Sequence, residues 1–378
     1  MLDALTLIAA ACVFLGVMVV ANIADRKRAA HQLNAYAAAA RATPGESLYD
    51  PEEQRAQWAR RIMPWLVMAL NGLLLCNGFS FLLVASMPTP LLEEMGGLEG
   101  GGFGFVPTAS QASGAMLVSV LMAAVASILL IPQVRQAIAR AQVLSAAFNA
   151  DSMMHMVALV FCVYLVGQTG LQFALISDFE DLANAISETP VLGTLVLQAI
   201  LFYAVAVVGV GFPQRRDWRQ ALARLGLATP TRLQVGIGVG AGLVMLAVQF
   251  LVLFVWMLAV GAEAFAEQTQ AAEALSRGFD NLIVAFVVAF LTATSEEIIF
   301  RGALQPVMGV GITSIVFALA HIQYALTPAT LVILALAVVL GILRFRFNTT
   351  TAIVAHFVYN FTGLFVSITF QRLLEGLT

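Results

Sequence analysis

Charged residues are scarce in this sequence. They make up 11% of the 378 residues, whereas 60% are hydrophobic. A soluble globular domain is about 25% charged, so the composition excludes an ordinary soluble protein. The formal net charge of −3 provides no basic field that would attract nucleic acid. We therefore expect a lipid bilayer, and no nucleic acid, as the environment of the chain.

Cysteine is nearly absent as well. Cys12, Cys76 and Cys162 each lie inside an apolar run, and no CxxC spacing occurs. This pattern argues against a thiolate metal centre and against a disulfide framework. The HExxH motif of zincin-like metalloproteases is also missing, and no internal repeat of fixed period is visible.

Long apolar runs are what the sequence has in abundance. A membrane-spanning helix needs about 20 predominantly apolar residues. We find ten apolar segments, at roughly 4–24, 62–87, 113–131, 153–176, 191–212, 234–260, 281–300, 312–326, 330–345 and 351–371. The sequence therefore predicts an all-α fold, a polytopic transmembrane helical bundle with about 8–10 membrane-spanning helices.

Charge alternates between the segments that connect these runs. Segments 25–61 and 213–233 hold seven and five basic residues, whereas 88–112 and 177–190 hold none and carry carboxylates instead. Basic loops stay in the cytoplasm. We therefore expect a multi-pass protein of the bacterial cytoplasmic membrane with its N-terminus outside, and a cytoplasmic helical segment at 25–61.

An acidic pair ends the long apolar run that begins at about residue 281. Glu296 and Glu297 are followed by Arg301. Such charges cost roughly 2.5–3.5 kcal/mol each inside a membrane, which suggests function. Glu297 and Arg301 are i, i+4 neighbours on a helix and can pair. Glu296 is turned away by about 100° and can serve as a general base. The alternative is an interfacial charge cluster at a helix end.

Two further polar positions follow on the next apolar segments. Phe317 and His321 share a helix face at i, i+4, and so do His356 and Asn360. A lone histidine on such a face is usually a satisfied core residue. Three polar faces on consecutive helices are different, because polar groups in lipid must find one another. We expect these helices to converge.

These three elements, in this order, resemble the motifs of the type II CAAX endopeptidase family, also called CPBP intramembrane proteases. The family pattern of EExxxR, FxxxH and HxxxN is met by Glu296 to Arg301, Phe317 to His321 and His356 to Asn360. The resemblance covers roughly residues 190–378. Residues 1–189 show no motif and are expected to form a separate N-terminal transmembrane region.

The resemblance implies a catalytic set and its chemistry. Glu296 would activate a water to attack a peptide carbonyl, His321 would hold that water or a metal, and His356 and Asn360 would stabilise the oxyanion. Glu297 would be oriented through Arg301, with Phe317 in support. Glu296, His321 and His356 could also be ligands of Zn²⁺ or another divalent metal. A metal-free glutamate mechanism stays open.

The function expected from this resemblance is that of an intramembrane endopeptidase. Its substrate would be a membrane-associated protein or peptide, and its site would open to the cytoplasm. One alternative is a non-catalytic membrane scaffold or immunity-type protein with the same fold. Another is a transporter, whose polar path should draw residues from both halves of the chain. The oligomeric state is not predicted.

Overall fold

The computed structural model describes residues 2–26, 51–94, 106–187, 190–277, 281–324 and 326–375. Within these ranges every regular element is helical, so the predicted all-α fold is confirmed. The helices are α1 (Leu2–Asp25), α2 (Pro51–Ala85), α3 (Thr89–Glu94), α4 (Ala109–Ile128), α5 (Pro132–Arg140), α6 (Met153–Leu175), α7 (Phe179–Ser187), α8 (Val191–Gly209), α9 (Trp218–Leu225), α10 (Arg232–Val260), α11 (Ala262–Arg277), α12 (Leu282–Glu296), a π-helix (Glu297–Leu304), α13 (Gln305–Leu319), a 3-10 turn (Ile322–Tyr324), α14 (Pro328–Arg346) and α15 (Thr349–Glu375).

Eight helices in the described part of the chain are long and apolar enough to cross a membrane. This confirms a polytopic membrane protein. A shorter apolar helix covers Ala11–Asp25, within α1. Most of the cytoplasmic segment predicted at 25–61 lies outside the described residues, and its last part is the beginning of α2. The division of the chain at residues 189 and 190 stays a prediction.

The two segments predicted at 281–300 and 312–326 lie in one helical stretch, Leu282–Leu319, which contains a single non-helical residue, Gly309. The chain nevertheless reverses inside this run, at Gly309, where φ is 80° and ψ is 167°. In a straight helix Phe300 and Phe317 would lie about 25 Å apart, at 1.5 Å per residue. Their ring centroids are 5.1 Å apart. The run is therefore a hairpin, and its two arms are the two predicted segments.

Gly309 offers a test of this hairpin. Its backbone conformation is one that essentially only glycine adopts, at a cost of about 1–3 kcal/mol for other residues. We expect Gly309→Ala to lower the Tm of the purified protein. Gly311→Ala is the matched control, because Gly311 is helical and a Cβ there would meet no atom within 4 Å. Alanine also favours a helix interior over glycine. Equal Tm values for the two variants would contradict the hairpin turn.

Asp25 and the basic segment 213–233, both predicted to be cytoplasmic, meet at one end of the bundle. The hydroxyl of Ser152 donates to Asp25 at 2.5 Å, and the guanidinium of Arg215 lies 4.0 Å from the same carboxylate. The hydroxyl of Thr349, at the start of α15, donates to the carbonyl of Leu225 at 2.5 Å. We call the end defined by these five residues the arginine-rich end.

The orientation of this end in the membrane stays a prediction, and reporter fusions test it. Cytoplasmic and external reporters inserted into segment 213–233 should report the cytoplasm, because arginine-rich loops are retained there. A fusion within 177–190, which holds no basic residue, should report the outside. If a reporter in 213–233 is found outside the cell, the predicted orientation is wrong, and so is the prediction that the site opens to the cytoplasm.

Small residues let α10 approach α15 closely. A Cβ added at Gly238 would lie 3.0 Å from the carbonyl of Thr351, and one at Gly242 would lie 2.5 Å from that of Ala355. Glycine at such positions allows the backbones of neighbouring membrane helices to touch. Because Ala355 precedes His356, this contact fixes the position of α15 at the candidate site.

Candidate active site

The acidic pair lies at the junction of two helix types. Glu296 is the last residue of α12, and Glu297 is the first of the π-helix. π-helical turns are rare and often occur at functional sites. Glu296 is 7% exposed, and Glu297 and Arg301 are fully buried. The pair is therefore not an interfacial cluster exposed at a helix end.

The two carboxylate oxygens of Glu297 contact two different side chains, Arg301 and His356. Its Oε2 lies 3.3 Å from Nε of Arg301, and its Oε1 lies 2.9 Å from Nδ1 of His356. The guanidinium of Arg301 lies 4.3 Å from the ring centroid of Phe317 and donates to the carbonyl of Ala337 at 3.2 Å. Because a carboxylate only accepts, Nδ1 of His356 carries a proton and Nε2 is the free nitrogen.

Glu296 faces His321. Its Oε2 lies 3.7 Å from Nε2 of His321, and this buried oxygen has no hydrogen-bond partner among the described residues. Nδ1 of His321 lies 2.7 Å from the carbonyl of Phe317, which can only accept, so Nδ1 is assigned the proton. Nε2 of the neutral ring then accepts. The separation exceeds a hydrogen bond and suits one water that donates to both groups.

Asn360 is positioned by α12. Its Nδ2 donates to the hydroxyl of Thr292 at 3.1 Å, and that hydroxyl donates in turn to the carbonyl of Val288 at 2.9 Å. Thr292 lies one turn before Glu296, on the same face of the helix. The second N–H of the Asn360 amide makes no hydrogen bond within the described part of the chain and can donate to a ligand.

Phe317 joins the two halves of the site. Its ring centroid is 4.5 Å from that of His321 and 5.9 Å from that of His356. The structure thus brings the seven predicted residues together, six of them in direct contact and Asn360 through Thr292. All of them come from α12, the π-helix, α13 and α15, apart from His321, which follows α13 after the intervening Ala320.

Two polar residues near the site, half-buried Thr292 and buried Gln305, were not predicted. Thr292 positions Asn360, as described, and Gln305 donates from Nε2 to the carbonyl of Gly341 at 2.8 Å. Both lie four residues from a predicted site residue, Thr292 before Glu296 and Gln305 after Arg301. This i, i+4 spacing was the signal that could have found them.

The residues predicted as metal ligands do not form a metal-binding group in this arrangement. Within the described residues no three His, Cys, Asp or Glu side chains are placed to hold one ion. Glu296 and His321 supply two groups, but Nδ1 of His356 is used by Glu297. Binding of Zn²⁺ or another divalent metal by Glu296, His321 and His356 stays a prediction.

Comparison with known proteins finds a family model that matches part of the chain. Residues 278–362 match the family model described as type II CAAX prenyl endopeptidase Rce1-like. No curated protein and no solved structure matches the chain significantly. The matched stretch is shorter than the predicted 190–378 and contains all seven predicted site residues. Residues 278–362 are therefore similar to the type II CAAX prenyl endopeptidase Rce1-like family, as their motifs predict.

Proposed function

We propose that this protein is an intramembrane endopeptidase that hydrolyses a peptide bond in a membrane-associated protein or peptide. The observation that carries the proposal is the pair of buried Glu296 and half-buried His321, with 3.7 Å between Oε2 and Nε2. Two acceptors at this separation can hold and polarise one water. The family match supports a protease in general, and the pair supplies the chemistry that hydrolysis needs.

Glu296 is the general base in this proposal. It removes a proton from the water as the water oxygen bonds to the peptide carbonyl carbon, and the carbonyl oxygen becomes an oxyanion. The C–N bond then breaks, and the proton held by Glu296 passes to the leaving amine. Glu297 is less suited to this step, because Arg301 and His356 already engage its two oxygens. It is a positioning residue that orients His356.

Asn360 is the stronger candidate for the oxyanion donor. One of its N–H groups makes no hydrogen bond to any described residue. Nε2 of His356, in contrast, donates only if the ring carries two protons, since Nδ1 already donates to Glu297. Loss of one oxyanion donor typically costs about 10²–10³ in rate. The sequence had grouped His356 with Asn360 as oxyanion donors, and the hydrogen bonds of the two side chains now favour Asn360 for that role.

Asn360→Ala should therefore lower kcat by about 10²–10³ and leave KM little changed, because the lost bond forms only in the transition state. Steady-state cleavage kinetics measure both values. Thr369→Ala is the control on the same helix, because the one hydrogen bond of the Thr369 hydroxyl to a described residue goes to the carbonyl of Phe365. An unchanged kcat for Asn360→Ala would remove Asn360 from the reaction.

Depth favours an opening toward the arginine-rich end. His356 lies seven residues into α15, about 10 Å from Thr349, whereas α15 continues for nearly 30 Å beyond it. If the arginine-rich end is cytoplasmic, water and the substrate peptide reach the site from the cytoplasm. The site residues also come from one consecutive block of helices, which counts against a transport path built from both halves.

The decisive experiment is cleavage by the purified full chain in lipid nanodiscs. A mixture of membrane peptides is incubated with wild-type protein and with Glu296→Ala, and products are identified by mass spectrometry. Products that arise only with the wild type support the peptidase. Loss of these products on chelation, with recovery on added Zn²⁺, would support the metal version. The absence of any product from a folded wild-type protein would favour the scaffold.

A further inference from the structure

A cavity of about 110 Å³ lies at the arginine-rich end, on the side of the π-helix away from the acidic pair. Its apolar lining comes mostly from within the membrane-spanning helices, and three arginines line it from beyond the end of α8. The lining includes Phe14, Phe161, Val205, Ile299 and Val307, and Arg215, Arg216 and Arg224. A cavity of this size has room for several waters and is thus more than a packing defect.

The arginines of this cavity have too few anionic partners. Asp25 is 4.0 Å from Arg215, but it also accepts the backbone N–H groups of Met153 and Met154 at 3.0 Å, at the start of α6. Its charge is therefore shared with a helix N-terminus. Nε of Arg215 is buried and has no hydrogen-bond partner among the described residues.

The other two arginines bind only neutral oxygens. Arg216 donates to the carbonyl of Val210, and Arg224 donates to that of Gly302 at 3.0 Å. In the described part of the chain neither forms an ion pair with a carboxylate. Burial, followed by repulsion from Arg216, Arg344 and Arg215, lowers the pKa of Arg224 to about 10. The cluster thus keeps an excess of positive charge next to an apolar wall.

We propose that this cavity binds one phosphate-bearing amphiphile, with its phosphate against Arg215, Arg216 and Arg224 and its hydrocarbon chain along the apolar wall. Guanidinium groups match phosphate oxygens with paired donors. Basic pockets between membrane helices are known to take anionic lipid headgroups. The inference is independent of the peptidase proposal, because it uses none of the predicted site residues.

The apolar wall selects an anionic lipid over a free phosphate ion. Phe14 and Phe161 stack at 5.4 Å between ring centroids, and both line the cavity. A free ion would leave this surface in contact with water, whereas an acyl chain covers it at a gain of roughly 25 cal/mol per Å² of apolar area. Phosphate alone should therefore bind more weakly than phosphatidylglycerol.

Native mass spectrometry of the full chain tests the proposal. Wild-type protein should retain one phosphatidylglycerol in preference to phosphatidylcholine. Arg216→Gln and Arg224→Gln should each weaken retention about fivefold, the equivalent of ~1 kcal/mol. Arg219→Gln is the matched control, because Arg219 is exposed and does not line the cavity. The proposed site is wrong if wild-type protein retains both lipids equally. It is also wrong if Arg219→Gln weakens lipid retention as much as Arg216→Gln and Arg224→Gln do.

A second arm separates the lipid from the ion and does not depend on the arginine variants folding. Ala158→Phe fills the apolar part of the cavity and keeps every charge. It should weaken phosphatidylglycerol binding and leave unchanged any rise in Tm caused by inorganic phosphate. If phosphate alone raises the Tm of wild-type protein as much as phosphatidylglycerol does, the site is for a simple anion and the amphiphile is wrong.

Discussion

Replacing Glu296 by glutamine is expected to abolish nearly all cleavage while the protein folds normally. Glutamine keeps the shape of the side chain but cannot take a proton from water, and general-base catalysis contributes about 10²–10⁴ in rate. Folding should be spared, because the buried Oε2 of Glu296 has no hydrogen-bond partner to lose among the described residues. The measurement is kcat on a cleaved membrane peptide, together with Tm.

Glu297→Gln is the matched comparison, since it makes the same chemical change one residue away. It removes the charge that Arg301 and His356 share, so the main expected effect is a lower Tm and a mispositioned His356. If Glu296→Gln keeps wild-type turnover while Glu297→Gln is inactive in a folded state, the roles of the two acids are reversed. If both leave cleavage intact, neither acid is the base.

Arg301→Ala is expected to have the largest effect on stability. Both members of the Arg301–Glu297 pair are fully buried, and removing one partner of a buried pair typically costs about 3–5 kcal/mol. The contact of the guanidinium with the ring of Phe317 at 4.3 Å is lost as well. We expect a sharply reduced folded yield in size-exclusion chromatography, and a lower Tm for any protein that is recovered.

The control for this prediction is Arg346→Ala. Arg346 is an exposed arginine at the end of α14, and surface substitutions usually change stability by no more than about 0.5 kcal/mol. Normal yield and normal activity of Arg301→Ala would mean that the arginine only anchors the helix and does not hold Glu297.

Contacts within one helix were predictable from the sequence, because a fixed rotation per residue places i and i+4 on the same face. The pair of Glu297 and Arg301 and the contact of Phe317 with His321 follow from this rule. The contact of His356 with Glu297 spans 59 positions and depends on how helices pack, so convergence was predicted but the partner was not. The separate roles of His356 and Asn360 follow only from which of their nitrogens are already engaged.

The hairpin and the cavity are two further features that could not be predicted from the sequence. The segment 305–311 contains two glycines, Gly309 and Gly311. Nothing in the sequence distinguishes Gly309, which has a positive φ, from Gly311, which is helical. The arginines between residues 213 and 233 served only as evidence for membrane topology. Their common cavity became visible once α1, α6 and α8 were in place around them.

The contribution of α15 to the candidate site makes the order of synthesis important. A ribosome makes α12 to α14 first, and the 59 positions that separate Glu297 from His356 take about 3–12 s at typical translation rates of roughly 5–20 residues per second. During that time Glu297 has Arg301 as a partner, while His356 and Asn360 have not yet been made. A nascent chain therefore carries the acids without the proposed oxyanion donor. Under the proposed mechanism, hydrolysis must wait until α15 has inserted into the membrane.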